Sequence, residues 1–286
     1  SLELGGIIEA KIKAAKNGFF IMLIYWFCDC LSIKKIRDLR PLVVDNKVMT
    51  QTKTLPTTVT HLDIIKTVAV IIMIVDHIGF YFFPDQLWFR AVGRVGGAPG
   101  WFFLIGYAVT RDLPNRLLVG ALILAVADLV LFQSVFAMST LVTIIILRLT
   151  IDPVMRFMSR SGYLFMLSSI LMAVFYFATN LIVEYGTIAL MFAVAGYLTR
   201  HRQDVFDQTF MTKSYYWGYI AYTMVIFCVF QNATFGFNTA QFAFMSLFSI
   251  LTMAVLVNMK SMTFPQIDGR GIKQFLQYCG RNTLDI

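Results

Sequence analysis

Apolar runs of nearly membrane-spanning length recur along most of the chain, and this repetition constrains the fold more than any other feature. A transmembrane helix needs about 20 predominantly apolar residues, which these runs supply or approach. The composition agrees, because 58% of the residues are hydrophobic and only 14% are charged, against about 25% charged residues in a soluble domain. The sequence therefore predicts an all-α integral membrane protein, a polytopic bundle of about eight transmembrane helices.

The same pattern divides the chain into two regions. We expect an N-terminal segment, 1–60, with one short apolar stretch at Phe19–Cys28 and a basic cytoplasmic linker, followed by a transmembrane domain, 61–286. The short stretch is compatible with a signal-like segment or with an amphipathic segment at the membrane surface. The predicted spans cover 62–83, 100–110, 117–136, 138–151, 162–183, 186–199, 215–233 and 238–258.

The basic residues behind the net charge of +8 cluster in alternate connections between the predicted spans. The positive-inside rule then places these connections and both termini in the cytoplasm. Arg90 and Arg94 do not fit this pattern, because they lie between the first two predicted spans on the outer side. They are either a tolerated exception to the rule or functional cations. The charge therefore indicates orientation, and we expect no nucleic-acid partner. The four cysteines lack metal-ligand spacing, so no metal site is expected either.

Charged residues inside the apolar runs are the informative ones, because each costs about 2.5 kcal/mol or more at the bilayer centre. In the first span, helical geometry places Asp63, Lys66 and His77 on one face. Asp63 and Lys66 can pair, whereas His77 lies about 16 Å beyond Lys66. Asp76 points about 100° away from His77 and is poorly placed to orient that imidazole.

Each of these residues also has an interpretation that involves no chemistry. Asp63 and Lys66 could form a snorkelling pair at the cytoplasmic edge, and Asp76 with His77 could serve only interhelical hydrogen bonding. Asp128 in the third span could be the structural partner of a cation such as Arg94.

The first span carries the pattern Leu62-Asp63-x-x-Lys66-x-x-Ala69, followed after ten residues beyond Lys66 by His77. This resembles the first-helix signature of the integral-membrane acyltransferases of the acyltransferase-3 type, with lysine in place of arginine. It is more similar to the TraX family, the pilin N-acetylases of conjugative plasmids and their relatives. Three later stretches resemble the same family: Gly93-Arg94 to Tyr107, Glu184-Tyr185-Gly186 and Tyr278 to Ile286. In that family a final helix with its own histidine would follow Ile286.

The resemblance implies a bacterial inner-membrane acyltransferase that moves a short acyl group, typically acetyl, from acyl-CoA to an amine or hydroxyl. The acceptor class would be a pilin N-terminus or an envelope glycan, with acyl-CoA as co-substrate and no permanently bound cofactor. The implied catalytic residues are His77, as general base, and Asp76. The implied donor-binding residues are Asp63, Lys66 and Arg94, and the implied site-lining residues are Asp128, Glu184, Tyr185, Arg281 and Asn282.

Two rival functions are compatible with the same residues. A proton-coupled transporter could use Asp76, His77 and Asp128 as a relay, although no repeated pair of broken helices is evident in the two halves. A noncatalytic partner in membrane assembly could use the buried charges only to set helix packing.

Overall fold

The computed structural model describes residues 58–108, 111–132, 140–202, 212–259, 263–267 and 270–281, all within one compact unit, Pro56–Ile286. Ten helices and two very short strands form this described part of the chain, and the prediction of an all-α membrane bundle is confirmed. The predicted N-terminal segment 1–60 lies outside the described residues except for its last three positions. The helices are α1 His61–Phe82, α2 Leu87–Tyr107, α3 Asn115–Phe132, α4 Thr140–Met158, α5 Gly162–Val174, α6 Tyr176–Asn180, α7 Gly186–Arg200, α8 Lys213–Phe235, α9 Thr239–Val257 and α10 Arg270–Arg281.

Helix α1 begins at a well-formed N-cap. The hydroxyl of Thr60 accepts a hydrogen bond from the Asp63 amide at 3.2 Å, and the Asp63 carboxylate accepts one from the Thr60 amide at 3.0 Å. This reciprocal capping satisfies two backbone donors that a helix start would otherwise leave open. Just before it, strand β1, Val59–Thr60, pairs antiparallel with strand β2, Thr263–Phe264. The C-terminal part of the chain is thereby tied to the start of α1.

Helix α2 occupies the centre of the bundle and packs against α1, α4, α7 and α9. The prediction that the second span covers 100–110 is wrong at its start, since α2 begins at Leu87. Its first half is not a continuous apolar run, because it carries two arginines and several glycines. Arg90 and Arg94 therefore lie within a helix and not in a connecting loop.

Small residues allow α2 and α7 to cross at very short range. A Cβ atom added at Gly106 would collide with the backbone carbonyl of Ala193, and one added at Gly196 would collide with the carbonyl of Phe103. Close approach of helix backbones through small residues is a principal source of packing energy between helices in membranes. This crossing positions Tyr185 and Glu184, which lie just before α7, beside the middle of α2.

The other predicted spans correspond to helices with altered ends. The fourth continues past 151 to Met158, and Arg111 donates to Asp152 at 3.3 Å in this additional part of the helix. The fifth is divided into α5 and α6 by a break at Phe175. Within the described ranges, α1, α8 and α9 are long and apolar enough to cross a membrane, and three shorter apolar helices accompany them.

Candidate functional site

Two groups of charged side chains lie at opposite ends of α1. One surrounds Asp63 in the first turn, and the other surrounds Asp76, thirteen residues later. At 1.5 Å per residue the two carboxylates are separated by about 20 Å along the helix axis. We call the second group the Asp76 cluster, defined as Asp76, Arg90, Arg94, Glu184 and Tyr185.

Asp76 is held by two arginines from α2. Its Oδ2 atom lies 2.7 Å from Nη1 of Arg90 and 3.9 Å from Nη2 of Arg94. Only 10% of the Asp76 side chain is exposed, and a Cβ atom at Gly93 would collide with its carboxyl group. The glycine is therefore what lets α2 approach the carboxylate. A carboxylate buried this deeply requires cationic partners, and Arg90 supplies the hydrogen-bonded one.

Arg94 is the most enclosed cation of the Asp76 cluster, with 4% of its side chain exposed. Its guanidinium lies 3.9 Å from the Glu184 carboxylate, 4.7 Å from the centre of the Tyr185 ring and 4.9 Å from that of Phe235. Arg90 also contacts Phe235, at 5.1 Å. Aromatic faces attract a desolvated guanidinium, so these rings replace part of the lost hydration.

Glu184 and Tyr185 reach the cluster from the turn before α7. The Thr140 hydroxyl donates to the Glu184 carboxylate, and the Thr143 hydroxyl donates to the Glu184 carbonyl at 2.9 Å. Tyr185 has a φ of 66°, in the left-handed region, which is uncommon for a bulky residue. Such strain persists only where the surroundings enforce it, and it is concentrated at functional sites. Here it turns the Tyr185 ring under Arg94.

Two polar atoms at the heart of the cluster are buried without a hydrogen-bond partner among the described residues. They are Oδ1 of Asp76 and Nε of Arg94, one acceptor and one donor. Buried polar groups are nearly always satisfied, so exceptions identify functional sites, strained sites or positions for bound water. These two atoms therefore identify the centre of the cluster as a candidate functional position.

His77 does not face the cluster. It is exposed on a face of α1 about 100° around the helix axis from Asp76, and its Nδ1 lies 2.8 Å from the carbonyl oxygen of Met73. A carbonyl can only accept, so Nδ1 carries the hydrogen and Nε2 of the neutral ring carries the lone pair. This agrees with the prediction that Asp76 does not orient His77. The hydrogen bond leaves Nε2 as the basic nitrogen.

At the other end of α1, Asp63 pairs with the last described helix. Arg281 of α10 donates to Oδ1 from Nε at 3.3 Å and to Oδ2 from Nη2 at 3.2 Å. Lys66 is half-buried one turn further along α1. Asp63 therefore has a partner that its spacing from Lys66 did not indicate.

The structure brings some of the predicted site residues together and separates others. Asp76, Arg94, Glu184 and Tyr185 form one cluster, whereas Asp63, Lys66 and Arg281 lie at the far end of α1. The predicted donor-binding set is thus divided, since Arg94 lies with Asp76. The Asp128 side chain and Asn282 lie outside the described residues, so Arg94 is described only with the partners Asp76 and Glu184.

Sequence reasoning left three contributors to the Asp76 cluster out of the predicted site. Arg90 stood out as a charge in an unexpected place, and that signal could have identified it. Phe235 and Thr140 carry no comparable signal, because aromatic and hydroxyl residues are common in membrane helices.

These features define a polytopic all-α membrane protein with a buried cluster of ion-paired residues beside its most central helix. Comparison with known proteins assigns the chain to one family of membrane proteins. The family described as TraX protein matches residues 61–267, which contain the whole Asp76 cluster, and the chain belongs to that family.

One curated relative is similar over part of its length. The uncharacterized protein RP591 of Rickettsia prowazekii (strain Madrid E) is 25% identical over 141 residues, which cover 49% of this chain and 56% of that protein. The chain thus spans about half the length of this relative. No solved structure matches the chain.

Proposed function

We propose that the protein is a membrane-embedded acyltransferase that moves a short acyl group, acetyl above all, from acyl-CoA to an amine or hydroxyl. The observation that carries this proposal is membership of the TraX family across residues 61–267. The acceptor class would be a pilin N-terminus or an envelope glycan, and the membrane would be the bacterial inner membrane. The lysine- and arginine-rich connections would face the cytoplasm, where acyl-CoA resides.

The donor would bind at the Asp63 end of α1. Lys66 is the cation that would meet the anionic nucleotide of CoA, since a lysine ammonium suits phosphate as a compact point charge. His77 lies eleven residues beyond Lys66, about 16 Å along the axis. The extended pantetheine arm would bridge that separation and bring the thioester towards the histidine.

His77 would act as general base. Its Nδ1 is committed to the Met73 carbonyl, so Nε2 is the nitrogen that can take a proton from the acceptor. The acceptor oxygen or nitrogen would attack the thioester carbon, the carbon–sulfur bond would break, and the proton would pass from the imidazole to the CoA thiolate. Asp76, paired with Arg90 and Arg94, would hold the neighbouring turn of α1 against α2 and so fix the helix that carries His77.

Replacing His77 with glutamine tests the proposal. The purified protein is incubated with radiolabelled acetyl-CoA and bacterial envelope extract, and release of free CoA thiol and transfer of label are measured. We expect His77→Gln to abolish both while the unfolding midpoint stays unchanged, because the side chain is exposed.

His201→Gln is the matched control, since His201 caps the end of α7, far along the chain from α1, and it should retain transfer. Unaltered transfer by His77→Gln would overturn the assignment of the base. A wild-type protein that moves a solute across liposomes without consuming acetyl-CoA would overturn the proposed function itself.

A further inference from the structure

The start of α1 is enclosed by the C-terminal part of the described chain. Besides the two hydrogen bonds to Asp63, Arg281 donates from Nη2 to the carbonyl of Thr58 at 3.2 Å. The Thr67 hydroxyl donates to the carbonyl of Leu276 at 3.2 Å. A Cβ atom at Gly280 would collide with the backbone of Asp63, so α10 and α1 touch there without intervening side chains.

Both oxygens of the Asp63 carboxylate are engaged within the protein. Oδ1 accepts from Arg281, and Oδ2 accepts from Arg281 and from the Thr60 amide. A two-point guanidinium–carboxylate pair fixes both groups in one plane and is stronger than a neutral hydrogen bond. Only 7% of the Asp63 side chain is exposed, so solvent screens the pair little.

We infer that Arg281 is a positioning residue for the donor end of the site: it fixes Asp63 and the first turn of α1, directly before Lys66, without touching the acyl donor. The inference rests on the proposed function for the identity of the donor. Lys66 lies three residues after Asp63 on the same helix face, so a change in the direction of the first turn displaces its ammonium.

The competing assignment gives Asp63 and Arg281 direct contact with the donor. Geometry opposes it, because the Arg281 guanidinium is directed at the carboxylate and at the Thr58 carbonyl. An anionic donor would also be repelled by the Asp63 carboxylate unless Arg281 already neutralised it. Both residues therefore act through the helix.

A double-mutant cycle on CoA binding distinguishes the two assignments. The variants are Asp63→Asn, Arg281→Gln and the two combined, and the dissociation constant for CoA is measured by calorimetry on the full chain in detergent. Positioning predicts that each single change weakens CoA binding by about 10- to 100-fold, as expected for loss of a charged hydrogen-bonded pair. The double variant should then bind no more than about threefold worse than either single one, because the pair is already broken.

Several results would overturn the inference. In the first, the double variant binds CoA more weakly by the product of the two single effects. In the second, Arg281→Gln loses CoA binding while Asp63→Asn keeps it. In the third, neither substitution changes the dissociation constant. Arg281→Lys should recover part of the affinity, since an ammonium keeps one of the two contacts. Arg156→Gln is the matched control, because Arg156 is exposed in the last turn of α4, and it should bind CoA normally.

The measurement separates this inference from the proposed function. Binding of CoA is read without turnover, so a wild-type protein that binds CoA but transfers no acyl group refutes the function and leaves the cycle informative. Where turnover is present, the single variants should raise KM for acetyl-CoA with kcat altered less than about threefold. A fall in kcat at constant KM would contradict the positioning role. A wild-type protein that does not bind CoA overturns the inference together with the donor assignment.

Discussion

Replacing Asp76 with alanine should destabilise the helical domain by about 3–5 kcal/mol, the usual cost of removing one partner from a buried ion pair. Asp76 bonds Arg90 at 2.7 Å and lies 3.9 Å from Arg94, and these two arginine side chains are only 16% and 4% exposed. Without the carboxylate, Arg90 loses its hydrogen-bonded partner and Arg94 keeps only Glu184. The loss therefore leaves the buried guanidinium of Arg90 without its acidic partner.

A matched control comes from the ion pair between Arg111 and Asp152. It is also an arginine–aspartate pair, with a contact of 3.3 Å, but 42% of the Asp152 side chain is exposed. Exposed pairs contribute about 0–1 kcal/mol after solvent screening. Arg111 also keeps its hydrogen bonds to the carbonyls of Ile105, Gly106 and Ala108 when the acid is removed. Asp152→Ala should therefore be nearly silent.

The assay is unfolding in mild detergent, followed by tryptophan fluorescence against denaturant, which yields the free energy of unfolding for each variant. Asp76→Asn should fall between wild type and Asp76→Ala, since the amide keeps an acceptor but loses the charge. A cost below about 1 kcal/mol for Asp76→Ala, or a cost equal to that of Asp152→Ala, would refute the view that the buried carboxylate organises this cluster.

Two further predictions concern packing around α2. Gly106→Ala should destabilise the protein by about 1–3 kcal/mol, because the added Cβ atom meets the Ala193 backbone. The control is Gly218→Ala, which should be neutral or stabilise by up to about 1 kcal/mol, because nothing lies within 4 Å of its added Cβ atom. Equal effects of the two substitutions in the same unfolding assay would contradict the close crossing of α2 and α7. Tyr185→Asn should lower the free energy of unfolding by about 2 kcal/mol, since asparagine tolerates the left-handed backbone but removes the ring under Arg94. Tyr185→Phe should lower it by less than about 0.5 kcal/mol, because phenylalanine keeps the ring. Similar losses in both Tyr185 variants would show that the stacked ring is not what matters.

Four helices, α1, α7, α8 and α9, lie within two residues of the predicted ends. Helices α1, α8 and α9 present a continuous apolar surface to lipid, and the buried helix α7 carries no charge before Arg200, so each forms an uninterrupted apolar run. Only the second half of α2 was predicted, because its first half is not a continuous apolar run. Other helices surround α2, so its composition is set by close packing and ion pairing.

The candidate site shows the same division. Sequence alone identified four polar or charged residues of α1 as candidates for a functional or pairing role: Asp63, Lys66, Asp76 and His77. The reason is that a charge in an apolar run is energetically costly. Helical periodicity also separated Asp76 from His77, and the structure agrees.

Partners, in contrast, were decided only by the tertiary structure. Asp63 pairs with Arg281, 218 residues away, and Arg94 reaches Glu184 across the contact between α2 and α7. Helical spacing can suggest only local pairs such as Asp63 with Lys66. The sequence by itself determined that the chain is a membrane bundle of helices and where its costly charges lie, because solvation acts on each residue separately. Which charges neutralise each other depends on how the helices pack, and that arrangement is set by contacts between segments far apart in the chain.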